Sequence, residues 1–92
     1  MNQYGTMAQD HWRKYLPRRY QQIPDPETYF RNLGDEVAER VDELSRALEG
    51  EGRPGEGYLQ RLGRLNMARL NAESQALQEL ALLPEETEEA TQ

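Results

Sequence analysis

The side chains that could carry out catalysis are few in this chain, and they are scattered along it. The 92 residues contain no cysteine, one histidine (His11) and two serines (Ser45 and Ser74). A nucleophile needs a base within hydrogen-bond reach, and neither serine lies in the sharp turn that exposes a nucleophile. A lone histidine also lacks the companion ligands of a zinc or iron site. We therefore expect a non-enzymatic protein without catalytic residues, metal or cofactor.

Five carboxylates in the middle of the chain could work as paired acids and bases. The set comprises Asp35, Glu36, Glu39, Asp42 and Glu43. Glu36 with Arg40, and Asp42 with Arg46, have the i, i+4 spacing of solvent-facing ion pairs, worth about 0.3 kcal/mol each. This spacing favours a solvated acidic face over catalysis. As an alternative function, the same stripe would mimic the charge of nucleic acid and inhibit a nuclease.

A basic and aromatic cluster near the amino terminus combines residue types that contact phosphate and stack on bases. Its members are Trp12, Arg13, Lys14, Tyr15, Arg18, Arg19 and Tyr20. The aromatic residues have helical spacing, which is also typical of a core, and arginines bind acidic protein surfaces equally well. Because the net charge is −6, we favour packing or protein contact. A nucleic-acid-binding regulator is the alternative.

A ladder of three polar residues interrupts the leucine stripe of the last predicted helix. Asn66, Arg69 and Glu73 lie three and four residues apart. The apolar stripe is formed by Leu59, Leu62, Leu70, Leu77 and Leu80. A buried polar group needs a hydrogen-bond partner, so the ladder predicts either an internal network or a partner-binding site. We favour a network in which Arg69 bridges Glu73, with Asn66 and Glu73 facing the amino-terminal helix and meeting His11, Trp12, Tyr15 or Arg18.

The glycines Gly50, Gly52 and Gly55 spell G-x-G-x-x-G, which binds phosphate when it follows a strand and opens a helix. Here the segment follows a predicted helix and carries Glu51 and Glu56, which would repel phosphate. We interpret it as a flexible linker between two helices.

The helices are predicted from apolar spacing and from their end signals. A short helix is predicted over about 6–15. Pro17 either ends this helix or opens a further turn through Ile23, and we expect the chain to bend near Pro17. Asp25 and Pro26 are the cap and first residue of a helix over 26–49, which Gly50 ends. A third helix runs over 58–83. The sequence predicts an all-α fold: an antiparallel two-helix hairpin with the amino-terminal helix packed on it, as in a three-helix bundle.

The composition sets the remaining limits. At 92 residues, with 30% charged residues, the chain forms one small domain over 1–83, followed by an acidic, disordered tail over 84–92. No segment approaches the ~20 apolar residues that span a bilayer. We expect a cytoplasmic protein that does not bind a membrane, and the marginal size favours a protein partner or a homodimer.

Two stretches resemble a known family. Tyr4-Gly5, Trp12, Lys14, Pro17 and Tyr20, followed by Phe30 and Leu33, resemble the opening pattern of the TnpV-like small proteins encoded by transposons. Gly63-Arg64-Leu65-Asn66, Arg69 and Ala72-Glu73 resemble the closing segment of that family. The resemblance covers roughly residues 4–77. It implies an accessory protein of a mobile genetic element or phage, and it brings no established biochemical activity.

Together these features favour an accessory protein that acts by binding another protein, such as a recombinase or a host defence factor. The nucleic-acid-binding regulator and the acidic nuclease inhibitor are the two alternatives.

Overall fold

The computed structural model describes residues 1–86, which form four helices and no strand. They are α1 (Gln3–Tyr15), α2 (Pro17–Gln21), α3 (Pro26–Glu49) and α4 (Tyr58–Leu80). Helices α3 and α4 run in opposite directions, since the Glu49 carbonyl meets Arg64 while Arg40 meets Glu79. Helix α1 packs on α3. The predicted all-α fold, a hairpin with an amino-terminal helix packed on it, is therefore confirmed.

Local end signals explain where the helices begin and end. Asp25 accepts hydrogen bonds from the backbone N–H of Thr28 (3.3 Å) and from its hydroxyl (2.7 Å), so α3 begins at Pro26 as predicted. Helix α1 begins earlier than predicted because the Asn2 side chain caps it, accepting from the Gly5 N–H at 2.9 Å. Helix α4 ends at Leu80, three residues before the predicted end.

The core lies where α1 crosses the hairpin. Phe30, Val37 and Val41 are fully buried on α3. Trp12 of α1 packs edge-on against Phe30, with 5.5 Å between ring centroids, and its Nε1 donates to the Ala81 carbonyl at 2.8 Å. This hydrogen bond satisfies the indole N–H inside the core and ties the end of α4 to α1.

Two glycines allow α1 and α3 to approach closely. A Cβ on Gly34 would lie 2.9 Å from the Gly5 Cα and 2.7 Å from the Gly5 nitrogen. Asn2 donates from Nδ2 to the Gly34 carbonyl at 2.9 Å at the same crossing. The backbones of the two helices therefore touch, and no larger residue fits between them.

The side of α4 that packs on α3 is not formed by the leucine stripe. The buried residues there are alanines: Ala68, Ala72 and Ala76. Small side chains let α4 lie close to α3, and the leucine stripe faces another direction. Leu77 is buried, but Leu59, Leu62 and Leu70 are exposed. The expectation that this whole stripe is core was wrong for its first half.

The segment after α4 folds back along α1. Leu83 accepts a hydrogen bond through its carbonyl from His11 Nε2 at 2.7 Å, and the Glu86 N–H donates to the Tyr15 carbonyl at 2.9 Å. The Glu86 carboxylate also accepts from the Arg18 N–H at 2.9 Å. Glu86 of the predicted tail is thus hydrogen-bonded to α1 and α2. Residues 87–92 of that prediction lie outside the described residues.

Candidate functional site

Two members of the polar ladder join all three long helices. Glu73 faces α1 as predicted, but its partner is the Tyr4 hydroxyl, which donates to Oε2 at 2.7 Å. Arg69 does not bridge Glu73; its Nη1 donates instead to Asp42 Oδ1 on α3 at 3.2 Å. We call these four residues, Tyr4, Arg69, Glu73 and Asp42, the polar junction. It lies at the amino-terminal end of α1.

The electrostatics of the polar junction match its geometry. Burial, and next the hydrogen bond to Glu73, raise the pKa of Tyr4. The neighbouring Tyr4 hydroxyl and, to a lesser degree, Asp42 raise the pKa of Arg69. Tyr4 is 5% exposed, whereas Arg69 and Asp42 are about half exposed. The junction therefore separates the buried core from a solvent-exposed part of the hairpin.

The third member of the ladder, Asn66, lies on the exposed side of this boundary. Its side chain is exposed and makes no hydrogen bond within residues 1–86. The prediction that Asn66 faces α1 was wrong because α1 begins at Gln3 and its neighbour Tyr4 already lies at the level of Glu73, nearly two helical turns away.

Asn66 is surrounded by apolar side chains that no other part of residues 1–86 covers. Leu59 is 79% exposed, Leu62 40% and Leu70 60%. These residues recur at helical spacing on one side of α4, with Gly63 and Asn66 between them. We call Leu59, Leu62, Gly63, Asn66 and Leu70 the distal face. Met67 and Leu48 extend it at its edges, with 58% and 47% exposure.

An ion pair holds the α3–α4 linker against α4 beside the distal face. Arg64 donates from Nε to Glu56 at 2.7 Å and from Nη2 to the same carboxylate at 3.1 Å, while Nη1 meets the Glu49 carbonyl. The two side chains are 16% and 10% exposed. The pairing lowers the pKa of Glu56. This pair could not be predicted from the sequence, because Glu56 and Arg64 lie eight residues apart, outside the spacing of helical ion pairs.

The basic and aromatic cluster is divided between the core and the surface. Trp12 is 6% exposed, and Tyr20 stacks on Phe30 with 5.8 Å between ring centroids. Arg13 donates to the Tyr20 hydroxyl at 3.1 Å, and Lys14 lies over the Tyr15 ring. Arg18 and Arg19 are exposed. The structure thus favours the packing interpretation for Trp12, because stacking on a nucleobase would require the core to open.

The acidic face is exposed, but its ion pairs differ from the predicted ones. All five carboxylates, Asp35, Glu36, Glu39, Asp42 and Glu43, point to solvent. Arg40 pairs with Glu43 at 3.1 Å and across the hairpin with Glu79 at 3.0 Å, rather than with Glu36. Asp42 pairs with Arg69 rather than Arg46. In the folded hairpin, α4 brings Glu79 close to Arg40 and Arg69 close to Asp42. An isolated α3 would lack both partners.

Within residues 1–86 no group of histidine and carboxylate side chains is arranged to hold a metal ion. The described helices also include none long and apolar enough to cross a bilayer. The chain matches no family model, no curated protein and no solved structure. The resemblance to the TnpV-like family stays a prediction from sequence.

The polar junction gives a stability prediction. Tyr4→Phe should destabilise the fold by about 1–2 kcal/mol, because it leaves the Glu73 carboxylate without its donor. Glu73→Ala should cost about 1–3 kcal/mol, and the double variant should cost less than the two single effects added together. Urea unfolding measures all three. Tyr58→Phe is the matched control, since Tyr58 is 75% exposed.

The same pair predicts a pH dependence. The raised pKa of Tyr4 means that the folded state holds this proton more tightly than the unfolded state. The contribution of the protonated Tyr4 hydroxyl to folding stability is therefore present below the unfolded pKa of about 10 and is lost as the pH rises through the folded pKa. The stability of Tyr4→Phe should therefore fall less at alkaline pH than the stability of the wild type. If stability depended on alkaline pH in the same way in both proteins, the role given to the Tyr4–Glu73 hydrogen bond would be contradicted.

Proposed function

We propose that this protein is a non-enzymatic accessory protein that acts by binding another protein through the distal face. The observation that carries the proposal is the exposure of Leu59, Leu62 and Leu70 together on one side of a helix. Large apolar side chains grouped in this way on a small soluble domain are typical of a protein-binding site. Scattered single leucines would not support the same conclusion.

The internal packing of the molecule indicates which shape of partner fits. Helix α1 covers the end of the hairpin where the first half of α3 lies beside the second half of α4. There Tyr4 binds Glu73, and Trp12 binds the Ala81 carbonyl at the end of α4. The distal face continues that surface beyond the polar junction and has no helix on it within the described residues. A second helix laid there would extend the packing that α1 begins. The partner element that fits best is therefore an amphipathic helix whose apolar side packs on the distal face.

The alternative functions have less structural support. A nucleic-acid-binding regulator would use aromatic stacking, but Trp12 is buried in the core. A mimic of nucleic acid would use a continuous run of free carboxylates, whereas Asp42 and Glu43 are already paired with arginines. Neither alternative accounts for the exposed leucines of α4.

The biological setting of the proposal comes from the sequence resemblance. A TnpV-like protein would serve a mobile genetic element or phage in the cytoplasm, and a recombinase or a host defence factor would be its partner. The part of the resemblance that lies on α4 includes Gly63 and Asn66, two members of the distal face. Residues shared with that family therefore lie where the structure leaves apolar surface uncovered.

A charge-insertion experiment tests the proposed function. Leu62→Glu/Leu70→Glu places two carboxylates within the distal face, and we expect proteins of the native host captured by the wild-type chain to be lost. Asn71→Glu is the matched control, because Asn71 is also exposed on α4 but lies outside the distal face. All variants should retain wild-type helical circular dichroism. Capture that is unchanged by the double substitution would contradict the proposal.

A further inference from the structure

Gly63 is a glycine in the interior of a helix with no neighbour that requires it. Among residues 1–86, nothing lies within 4 Å of a Cβ built there. Glycine in such a position is about 0.5–1 kcal/mol less favourable than alanine. Elsewhere in this chain, helical glycines mark a close approach of two backbones, since a Cβ on Gly34 or Gly5 would meet the opposite helix at under 3 Å. Gly63 is suited to the same kind of contact, and its side of α4 is the distal face.

Asn66 is the second unusual residue on that face. Its exposed amide lies at the centre of an apolar stripe, with Leu62 four residues before it and Leu70 four residues after it. The order of leucine, asparagine and leucine is therefore the same in both directions along the helix. When two such helices cross in opposite directions, the amides meet each other and Leu62 of one helix meets Leu70 of the other. An asparagine within an apolar seam is also a known way to fix register and oligomeric state.

We propose that the distal face binds the distal face of a second copy of this chain, with α4 crossing α4 in antiparallel orientation about a two-fold axis near Asn66. Leu62 of one copy then lies opposite Leu70 of the other, and the two Asn66 amides hydrogen-bond across the axis. Gly63 of each copy lies about one turn from the axis, where it lets the helices approach closely. This inference rests on the proposed function and assigns a second copy of the chain to the distal face, which a host protein would replace when it binds there.

Charge permits this partner despite the net charge of −6. Residues 57–72 contain no acidic side chain, so two copies meeting at α4 keep their acidic faces apart. Of the three arginines in that segment, Arg64 is paired with Glu56 and Arg69 with Asp42 within each copy. Repulsion at the interface is therefore small.

The available area indicates a reversible dimer. The exposed parts of Leu48, Leu59, Leu62, Met67 and Leu70 together offer about 600 Å² per copy, compared with ~800 Å² per partner in a standard interface. An interface at this low end of the size range is typical of weak and transient complexes, which leaves room for exchange against another helix of similar shape.

Sedimentation equilibrium of the purified chain tests the inference. We expect the mass to rise from monomer to dimer with concentration, and Leu62→Glu/Leu70→Glu to stay monomeric. Gly63→Leu adds apolar surface but should weaken the dimer by about tenfold or more, because the added side chain separates the helices. A merely adhesive surface would instead associate more strongly in Gly63→Leu, which would overturn the proposed crossing.

Single-cysteine variants test the two-fold axis, because the chain has no cysteine of its own. Asn66→Cys should form a disulfide-linked dimer on mild oxidation, and Asn71→Cys should form far less. Equal cross-linking of the two variants, or a wild-type chain that stays monomeric throughout, would overturn the inference. A monomeric chain whose capture of a host protein is lost in Leu62→Glu/Leu70→Glu would overturn it while supporting the proposed function. Capture and mass both unchanged in that variant would overturn both.

Discussion

Gly34→Ala is expected to destabilise the fold by about 3 kcal/mol, a large share of the 5–15 kcal/mol that stabilises a typical domain. The new Cβ would lie 2.4 Å from Asn2 Oδ1 and 2.7 Å from the Gly5 nitrogen. Backbone at such a crossing cannot move aside as a flexible side chain can, so α1 would be pushed away from α3. Chemical denaturation followed by circular dichroism measures the change.

The matched control is the same substitution in another helix. The new Cβ of Gly63→Ala meets nothing within 4 Å in the described part of the chain. This substitution should stabilise the monomer by about 0.5–1 kcal/mol through helix propensity. Opposite signs at the two positions would show that close packing, rather than loss of backbone freedom, governs the α1–α3 crossing. If both substitutions changed the unfolding free energy equally, the crossing described here would be wrong.

Trp12→Ala is expected to have the largest effect of all, a loss of about 3–5 kcal/mol. The indole packs on Phe30 and Tyr29 and is 6% exposed. Its removal opens a cavity where α1, α3 and the end of α4 meet. We expect the variant to be largely unfolded or to lose its cooperative thermal transition, as measured by circular dichroism.

Trp12→Phe separates the two contributions of that side chain. Phenylalanine keeps most of the ring packing but leaves the Ala81 carbonyl without the 2.8 Å hydrogen bond from Nε1. A loss of about 1–2 kcal/mol is expected, well below that of alanine. If Trp12→Phe were as damaging as Trp12→Ala, the hydrogen bond would outweigh the packing, contrary to the core described here.

The bounds of α3 were predictable because the signals that set them are local. Asp25 caps the helix, Pro26 fits its first turn and Gly50 adopts a positive φ of 61° directly after it. Each of these preferences acts within a few residues. No knowledge of the rest of the fold was needed to place this helix correctly.

The partners of charged residues were not predictable in the same way. Arg69 has Glu73 four residues away on its own helix but binds Asp42 on α3. Arg64 reaches back to Glu56 and the Glu49 carbonyl. Surface ion pairs within a helix are worth only a few tenths of a kcal/mol, so a partner brought close by the hairpin readily replaces them.

The exposure of the distal face was not predicted, because the leucine stripe of α4 was expected to be buried. Helical spacing identified the apolar side of α4 correctly but did not show whether anything covers it. With 13 residues, α1 extends roughly 20 Å, whereas the 23 residues of α4 extend roughly 35 Å. One helix cannot cover the other, so part of the leucine stripe is left exposed. The lengths, rather than the pattern, explain why Asn66 is on the surface.

Methionine footprinting shows whether protein covers the distal face when the molecule acts. Met67 borders the distal face and is 58% exposed, while Met7 on α1 is 46% exposed and serves as an internal reference. In dilute purified protein, hydroxyl radicals should oxidise both at similar rates. In extract of the native host, or in concentrated purified protein, we predict that Met67 becomes protected while Met7 does not. Equal oxidation of the two methionines under all these conditions would contradict the account.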